Sequence, residues 1–219
     1  MGLKTMAAIV AIWFTGVIYA VFYLVPPAAG LGNLVRLAFF HIPVAWVSVL
    51  AFMVAALTAG LYLKTRRPWY DCVSASSARL GFVFCLLATV SGAVFAKLTW
   101  GAYWNWDPRQ TTVFILLLIY GAYLALRAAI AEEERRAPIA AVYALLAFIT
   151  VPFLVFVIPR LYFSLHPEPV LNSAGQVDME PVMLYVLLAA VGACTSLYAL
   201  LLAKSAGSSM KSNEGRLPL

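Results

Sequence analysis

The stretch WGAYWNWDPRQT, residues 100–111, combines aromatic rings, an acid and a base in one short connection between two apolar runs. The chain has six tryptophans, and three of them lie here, as Trp100, Trp104 and Trp106. A single tryptophan is typical of a membrane interface, because its ring is apolar and its N–H needs a polar partner. The density of rings in this stretch instead favours a binding surface for a large planar ligand that is apolar in the middle and polar at its rim.

The spacing within this stretch indicates how the side chains are arranged. If the segment coils as a helix, Trp100, Tyr103 and Trp104 fall on one face at positions i, i+3 and i+4. Asp107 precedes a proline, and that pair is typical of a helix start, with the carboxylate as the cap and proline in the first turn. Arg109 can either extend to the membrane interface or bind an anionic group through two hydrogen bonds.

The chain has only two histidines, His41 in RLAFFHIPVAW and His166 in LYFSLHPEPV. By the topology derived below, both lie on the same side of the membrane as the tryptophans and as Arg36, Arg109 and Arg160. Imidazoles, aromatic rings and arginines are together what haem requires, as axial ligands, stacking surfaces and partners for its propionates. The sequence therefore predicts a haem site on this side.

The composition identifies the class of protein. Of the 219 residues, 64% are hydrophobic and 11% are charged, and the mean hydropathy is +0.92. A soluble domain is nearer half apolar and a quarter charged, so the chain is predicted to be an integral membrane protein. Its net charge of +6 therefore concerns membrane orientation and does not indicate nucleic acid. Cys72, Cys85 and Cys194 form no CxxC or CxxCH motif, so we expect no disulfide framework, iron–sulfur site or covalent haem attachment.

Six apolar runs are long enough, or nearly so, to cross the hydrocarbon core, which takes about 20 helical residues. They are Met6–Val25, Leu37–Leu63, Leu80–Ala96, Thr111–Ile130, Ile139–Ile158 and Val182–Ala203. The third run is the shortest. The prediction is an all-α integral membrane protein, with a six-helix transmembrane bundle in residues 1–203. Residues 204–219 are predicted to be a polar, disordered tail.

Basic residues predict the orientation of this bundle. Eleven of the 15 lysines and arginines fall on one side of the six runs. The other four are Arg36, Lys97, Arg109 and Arg160. Because lysine and arginine are enriched in cytoplasmic connections, both termini are predicted to be cytoplasmic. The connections 26–36, 97–110 and 159–181 then face outward, toward the periplasm or its equivalent.

The stretch WGAYWNWDPR closely resembles the tryptophan-rich WWD signature, W-G-x-Y-W-x-W-D, of the haem-handling proteins of cytochrome c maturation. The HIP triplet at His41 resembles the first outward histidine of that family, and His166 matches the second by position. The six-helix plan and the length resemble the CcmC branch, haem exporter protein C, over essentially the whole chain. One departure is that Tyr162 and Phe163 stand where family members carry tryptophans before the second histidine.

The resemblance implies a function and a set of site residues. It implies transient binding of haem b at the periplasmic face of a bacterial inner membrane, with no enzymatic activity. The haem would be presented to the haem chaperone CcmE, which takes it up covalently, beside the transporter components CcmA and CcmB and the small protein CcmD. His41 and His166 would be the iron ligands. The other haem-binding residues would be Trp100, Tyr103, Trp104, Trp106, Asp107 and Arg109.

Three other functions stay open at this level. A subunit of a WWD-type cytochrome c synthase shares the motif, although such chains are usually larger and have more outward histidines. A transporter of an unrelated substrate should carry charges or broken helices near the midplane, and these runs are nearly free of charge. A structural membrane subunit with an accidental aromatic loop is the third. A haem absorption band in the purified protein would separate the haem-handling functions from the last two.

Overall fold

The computed structural model describes residues 2–166 and 179–214. Within these ranges the α-helices are, in chain order, α1 (Leu3–Tyr23), α2 (Ala38–Thr65), α3 (Pro68–Trp100), α4 (Pro108–Ala129), α5 (Glu133–Pro152), α6 (Ile158–Leu161) and α7 (Pro181–Glu214). A 3-10 turn, Asn33–Leu37, leads into α2, and a π-helical turn, Phe153–Val157, joins α5 to α6. Six helical spans in the described ranges are long and apolar enough to cross a membrane, which confirms the predicted all-α, six-span plan.

Helix α2 lies at the centre of the bundle, where it packs against α3, α5 and α7. Small side chains are buried along these contacts, including Ala55 and Ala59 of α2 and Ala140 and Ala144 of α5. Small residues allow helix backbones to approach closely, which is how helices associate within lipid. His41 is thereby carried by this central helix.

Helix α3 is longer than predicted, because it begins at Pro68 and not at Leu80. The additional turns are too polar to be counted in an apolar run of the sequence. Their hydroxyls nevertheless form hydrogen bonds inside the bundle. Ser74 donates a hydrogen bond of 2.8 Å to the carbonyl oxygen of Ala55, and Ser77 donates one of 2.6 Å to a second carbonyl of α2. These internal bonds remove the cost of burying the hydroxyls.

Helix α7 also continues beyond its predicted end at Ala203, as far as Glu214. Residues 204–214, predicted to belong to a disordered tail, are therefore helical, and residues 215–219 lie outside the described ranges. The hydroxyl of Ser205 donates a bond of 3.1 Å to that of Ser76 in α3. This contact holds the polar extension of α7 against the polar first half of α3.

Candidate functional site

One end of the bundle, which we call the histidine end, is where α2 begins, α3 ends and α4 begins. His41 lies in the first turn of α2, Trp100 is the last residue of α3, and Asp107 caps α4. The connection that follows α6 returns to the same end and brings His166 beside Asp107. Residues far apart in the sequence are therefore assembled at one place, as the predicted topology requires.

The tryptophan connection is not helical between α3 and α4. Helix α3 ends because Gly101 adopts a left-handed conformation with φ of 84°, and residues 102–107 form no helical turn. The proposed face of Trp100, Tyr103 and Trp104 at helical spacing is therefore wrong. Glycine takes positive φ values without steric cost, so it stops the helix where the spacing alone would allow it to continue.

The aromatic rings of this connection form two groups, not one flat platform. The Trp100 ring contacts the His166 ring edge-on, with centroids 5.0 Å apart, and lies 5.9 Å from Phe95. The Trp104 ring packs 5.8 Å from Phe114 and 5.8 Å from Trp106. Only the first group contacts a histidine, so Trp100 is the tryptophan tied most directly to the predicted site.

Two rings of the connection extend away from the bundle. Tyr103 is 60% exposed, and the Lys97 ammonium lies 5.7 Å above its ring. Trp106 is 76% exposed and has a left-handed backbone, with φ of 55°. For a residue with a Cβ this conformation costs about 1–2 kcal/mol. The loop is therefore strained at the residue that projects its largest exposed ring.

Asp107 joins the start of α4 to the segment that carries His166. Its carboxylate accepts bonds from the backbone N–H of Arg109 at 2.9 Å and of Leu165 at 2.7 Å, and from the hydroxyl of Ser164 at 2.9 Å. Burial raises the pKa of this carboxyl, but the three donors lower it, and the net pKa is below the usual range. Asp107 is therefore ionised at neutral pH. Its predicted role as a helix cap is confirmed, and its bonds to the distant segment are an additional role.

His166 is oriented by this carboxylate. Its Nδ1 lies 3.0 Å from Oδ1 of Asp107, and both side chains are largely buried. An ionised carboxylate only accepts hydrogen bonds, so Nδ1 carries the hydrogen and the neutral ring presents its lone pair on Nε2. Burial lowers the pKa of His166 more than Asp107 raises it, so the ring is neutral at neutral pH. A histidine held in this way by a carboxylate is the common arrangement of a metal ligand.

His41 is held in the same tautomer by a hydroxyl. Its Nδ1 lies 3.0 Å from Oγ of Ser91, and that hydroxyl donates 2.7 Å to the carbonyl oxygen of Leu87. The hydroxyl hydrogen is thus already used, so Nδ1 of His41 must donate and Nε2 carries the lone pair. A Cβ built at Gly92 would come within 3.0 Å of Cε1 of this ring. The absence of a side chain at Gly92 therefore makes room for the imidazole.

The histidines and Arg109 form one electrostatic group. His41 interacts electrostatically with both His166 and Arg109, and His166 interacts with Arg109. The other arginines predicted on this side are placed differently. The Arg36 guanidinium lies 5.9 Å above the Phe22 ring, whereas Arg160 donates to a carbonyl of its own helical segment. Arg109 is therefore the arginine best placed to attract an anionic group to the histidines.

Several residues that build this end are not apparent from the sequence. Ser91, Gly92 and Ser164 are residue types too common to signal a site. Gln110 is more distinctive, since it is a buried amide in the first turn of a membrane helix. Its side-chain oxygen accepts from the N–H of Asn105 at 3.0 Å, and its side-chain nitrogen donates to the carbonyl oxygen of Tyr103 at 3.2 Å. These two bonds fix the loop. In the sequence, a glutamine at the start of an apolar run and close to the tryptophans is the signal that could have pointed to this residue.

Known proteins of cytochrome c biosynthesis are similar to this chain in sequence. A relative named Heme exporter protein C from Bradyrhizobium diazoefficiens is 32% identical over 167 residues, which is 76% of this chain and 63% of the relative. A ccmC-like mitochondrial protein of cytochrome c biosynthesis from Marchantia polymorpha is 30% identical over 158 residues, 72% of this chain and 66% of that protein. Both relatives are thus longer than the region matched.

A shorter match is to a second kind of protein. Cytochrome c biogenesis protein CcsA from Ranunculus macranthus is 49% identical over 57 residues, but these are only 26% of this chain and 18% of that protein. The family model for Heme exporter protein C, CcmC, in contrast matches residues 2–216. Because this match covers nearly the whole length, the chain belongs to the Heme exporter protein C family.

Proposed function

We propose that this protein binds haem b transiently at the histidine end, with His41 and His166 as the iron ligands, and presents it to the chaperone CcmE for cytochrome c biogenesis. The observation that carries the proposal is that both imidazoles are held through the same ring nitrogen, Nδ1. Each has Nδ1 in a hydrogen bond of 3.0 Å, to Ser91 or to Asp107, which would leave Nε2 of each ring to bind a ligand at this end of the bundle. Iron with two vacant axial positions suits such a pair.

The surrounding residues support haem as the cargo. Trp100 contacts His166 edge-on and offers an apolar ring beside the iron ligands. Arg109 supplies the positive charge that a propionate needs, and charge-assisted pairs of this kind can be bidentate. Tyr103, Trp104 and Trp106 would extend the aromatic surface toward the rim of the site. The loop that Asp107 and Gln110 hold in place would keep these rings near the ligands.

In this proposal the protein carries haem and catalyses no reaction. It would act beside CcmA, CcmB and CcmD, and the thioether bonds to the cytochrome would be made elsewhere. The cysteines at positions 72, 85 and 194 are buried in helices, so none is available for a covalent bond to haem at this end. The local identity with CcsA favours one second candidate, a subunit of a WWD-type cytochrome c synthase.

The direct test is the visible spectrum of the detergent-purified protein after loading with haem, followed by transfer to purified CcmE. The proposal expects a Soret band with the protein alone, and covalent haem on CcmE that survives denaturation. A synthase subunit would instead yield haem covalently bound to an apocytochrome without CcmE. If the wild-type protein acquires no Soret band, haem handling by the histidine end is excluded.

The proposed orientation gives a prediction for reporter fusions. The histidine end should face the periplasm of a bacterial inner membrane, because the opposite end carries most of the basic residues. Fusions after Lys64 or Glu134 should therefore read as cytoplasmic, and fusions at Leu31 or Asn105 as external. Alkaline phosphatase activity, with a fluorescent reporter as the complementary measurement, distinguishes the two sides. A cytoplasmic result at Asn105 would contradict the orientation of the whole site.

The packing of Gly92 against His41 gives a second prediction. The Gly92→Ala variant should retain about tenfold less haem, because the added Cβ would lie 3.0 Å from Cε1 and would push the ring by a few tenths of an ångström, which strains its bond to Ser91; disturbing a ligand's partner has effects of this size. The same change favours helix formation by about 0.5–1 kcal/mol, so unfolding would not explain the loss. Haem occupancy per protein is the measurement.

The matched control for this prediction is Gly16→Ala in α1. It makes the same chemical change in a membrane helix, where the added Cβ meets nothing within 4 Å. We expect Gly16→Ala to retain haem as the wild type does. Equal occupancy in both variants would mean that the position of the His41 ring does not matter for haem retention.

A further inference from the structure

The end of the bundle opposite the histidines, which we call the arginine end, contains a cavity of about 610 Å³. It lies where α3 and α5 begin and where α4 and α7 end. Its polar lining consists of Asp71, Arg79, Arg127, Arg136, Ser208 and Ser209. Small-molecule sites are typically 300–1,000 Å³, so this cavity has the size of a binding site.

Among the described residues that line this cavity, three arginines accompany a single carboxylate. Arg127 forms a bidentate pair with Asp71, with N–O distances of 2.7 and 2.8 Å. This pair is largely buried and uses the one carboxylate among the described residues that line the cavity. Arg79 and Arg136 each donate one bond to a backbone carbonyl of their own region, at 3.2 and 3.4 Å. A guanidinium has five N–H donors, so each retains several for a ligand.

The helices that line the cavity are joined to one another by polar side chains. The pair of Asp71 and Arg127 joins α3 to α4, and breaking a buried pair of this kind is strongly destabilising. The Ser205 bond to Ser76 holds the last turns of α7 against α3, and so positions the hydroxyls of Ser208 and Ser209 in the lining. The cavity thus combines a rigid floor with two cationic side chains and two hydroxyl donors.

We infer that the cavity at the arginine end is a binding site for a phosphate group, held by Arg79, Arg136 and the serine hydroxyls. Arginine is well suited to phosphate because its planar fork matches the phosphate oxygens and donates in pairs. The phosphate can belong to an anionic lipid headgroup or to a soluble phosphate ester. If basic residues at this end only attracted anionic lipid in general, any of its arginines would serve equally well. A specific site instead requires Arg79 and Arg136.

The test measures binding to the full-length protein in a nonionic detergent by native mass spectrometry. One probe is phosphatidylglycerol, and the other is sn-glycerol 3-phosphate, which carries a similar phosphate without acyl chains. We expect saturable binding of at least one probe, weakened at least tenfold in the double variant Arg79→Gln with Arg136→Gln. Both substitutions leave the Asp71–Arg127 pair intact, and thermal unfolding of each protein verifies its fold.

The control is the double variant Arg67→Gln with Arg135→Gln, which removes the same charge from the same end. Neither residue lines the cavity, and Arg135 is exposed and paired with Glu132 on the surface. We expect this control to bind within twofold of the wild type. Binding of the lipid alone would identify a headgroup as the ligand, and binding of both probes would identify phosphate itself. Equal weakening in the two double variants, unchanged binding in the first, or no saturable binding would overturn the inference.

Discussion

Replacement of both His41 and His166 by alanine should abolish haem retention, and each single replacement should shift the Soret band and lower the haem content of the purified protein. Under the proposed function, iron coordination depends on the two Nε2 lone pairs of rings whose Nδ1 atoms are bonded to Ser91 and Asp107. The measurement is the visible spectrum together with haem per protein. A double variant with the wild-type spectrum would exclude ligation by histidine in this chain.

Rescue with free imidazole separates lost ligation from lost folding. In the His41→Ala protein a cavity of the shape of the side chain remains beside Gly92 and Ser91, and imidazole can occupy it. We expect millimolar imidazole to restore part of the Soret band in each single variant. A misfolded protein would not respond. The chain contains no third histidine that could substitute for either ligand.

The Asp107→Ala protein should lose both stability and haem. Loss of the helix cap costs about 1 kcal/mol, and each buried donor left without an acceptor costs about 1–3 kcal/mol more. The donors concerned include Ser164 and the N–H of Leu165. His166 also loses the partner of Nδ1, and loss of such a partner weakens metal binding by about 10- to 100-fold. Thermal unfolding and haem occupancy should both be measured.

The Asp107→Asn protein separates the two roles of this side chain. Asparagine caps helices about as well as aspartate, so its oxygen can still accept from the N–H of Arg109. The same oxygen can still accept from Nδ1–H of His166, but without the charge of a carboxylate, and the amide nitrogen at the Oδ2 position cannot accept from the N–H of Leu165. We therefore expect a smaller loss of stability than in Asp107→Ala, because the cap remains, and a reduced haem occupancy, because a neutral oxygen holds Nδ1–H less strongly than a carboxylate does. If Asp107→Ala lowers only the unfolding temperature and the haem content of the folded protein is unchanged, Asp107 is purely structural.

The hydropathy pattern predicts the six spans because the transfer of a helix into lipid depends on average composition over about 20 residues. The same average cannot locate the start of α3. Ser74 and Ser77 count against a membrane helix, but their bonds to carbonyls of α2 make them acceptable there. Such bonds depend on which helices pack together, and a one-dimensional average contains no information on that.

The site likewise has features that the sequence predicts and features that it does not. Residue types and the sidedness of the loops predict that His41, His166 and the tryptophans share one end. The partners of the histidines are not predictable, because Asp107 is 59 positions from His166 and Ser91 is 50 positions from His41. The helical spacing of the rings misleads for a local reason. A single left-handed glycine, Gly101, interrupts the coil that the spacing assumes.

Because Trp106 has a left-handed backbone, stability and the proposed function favour different residues at position 106. Glycine and asparagine adopt this conformation with less strain than tryptophan, so a population of variants sorted only for resistance to unfolding should accumulate them at position 106. Under the proposed function the exposed ring is what haem contacts, and selection for cytochrome c assembly should restore tryptophan there. Strained residues are typical of functional sites for this reason, and natural sequences retain them at a cost in stability.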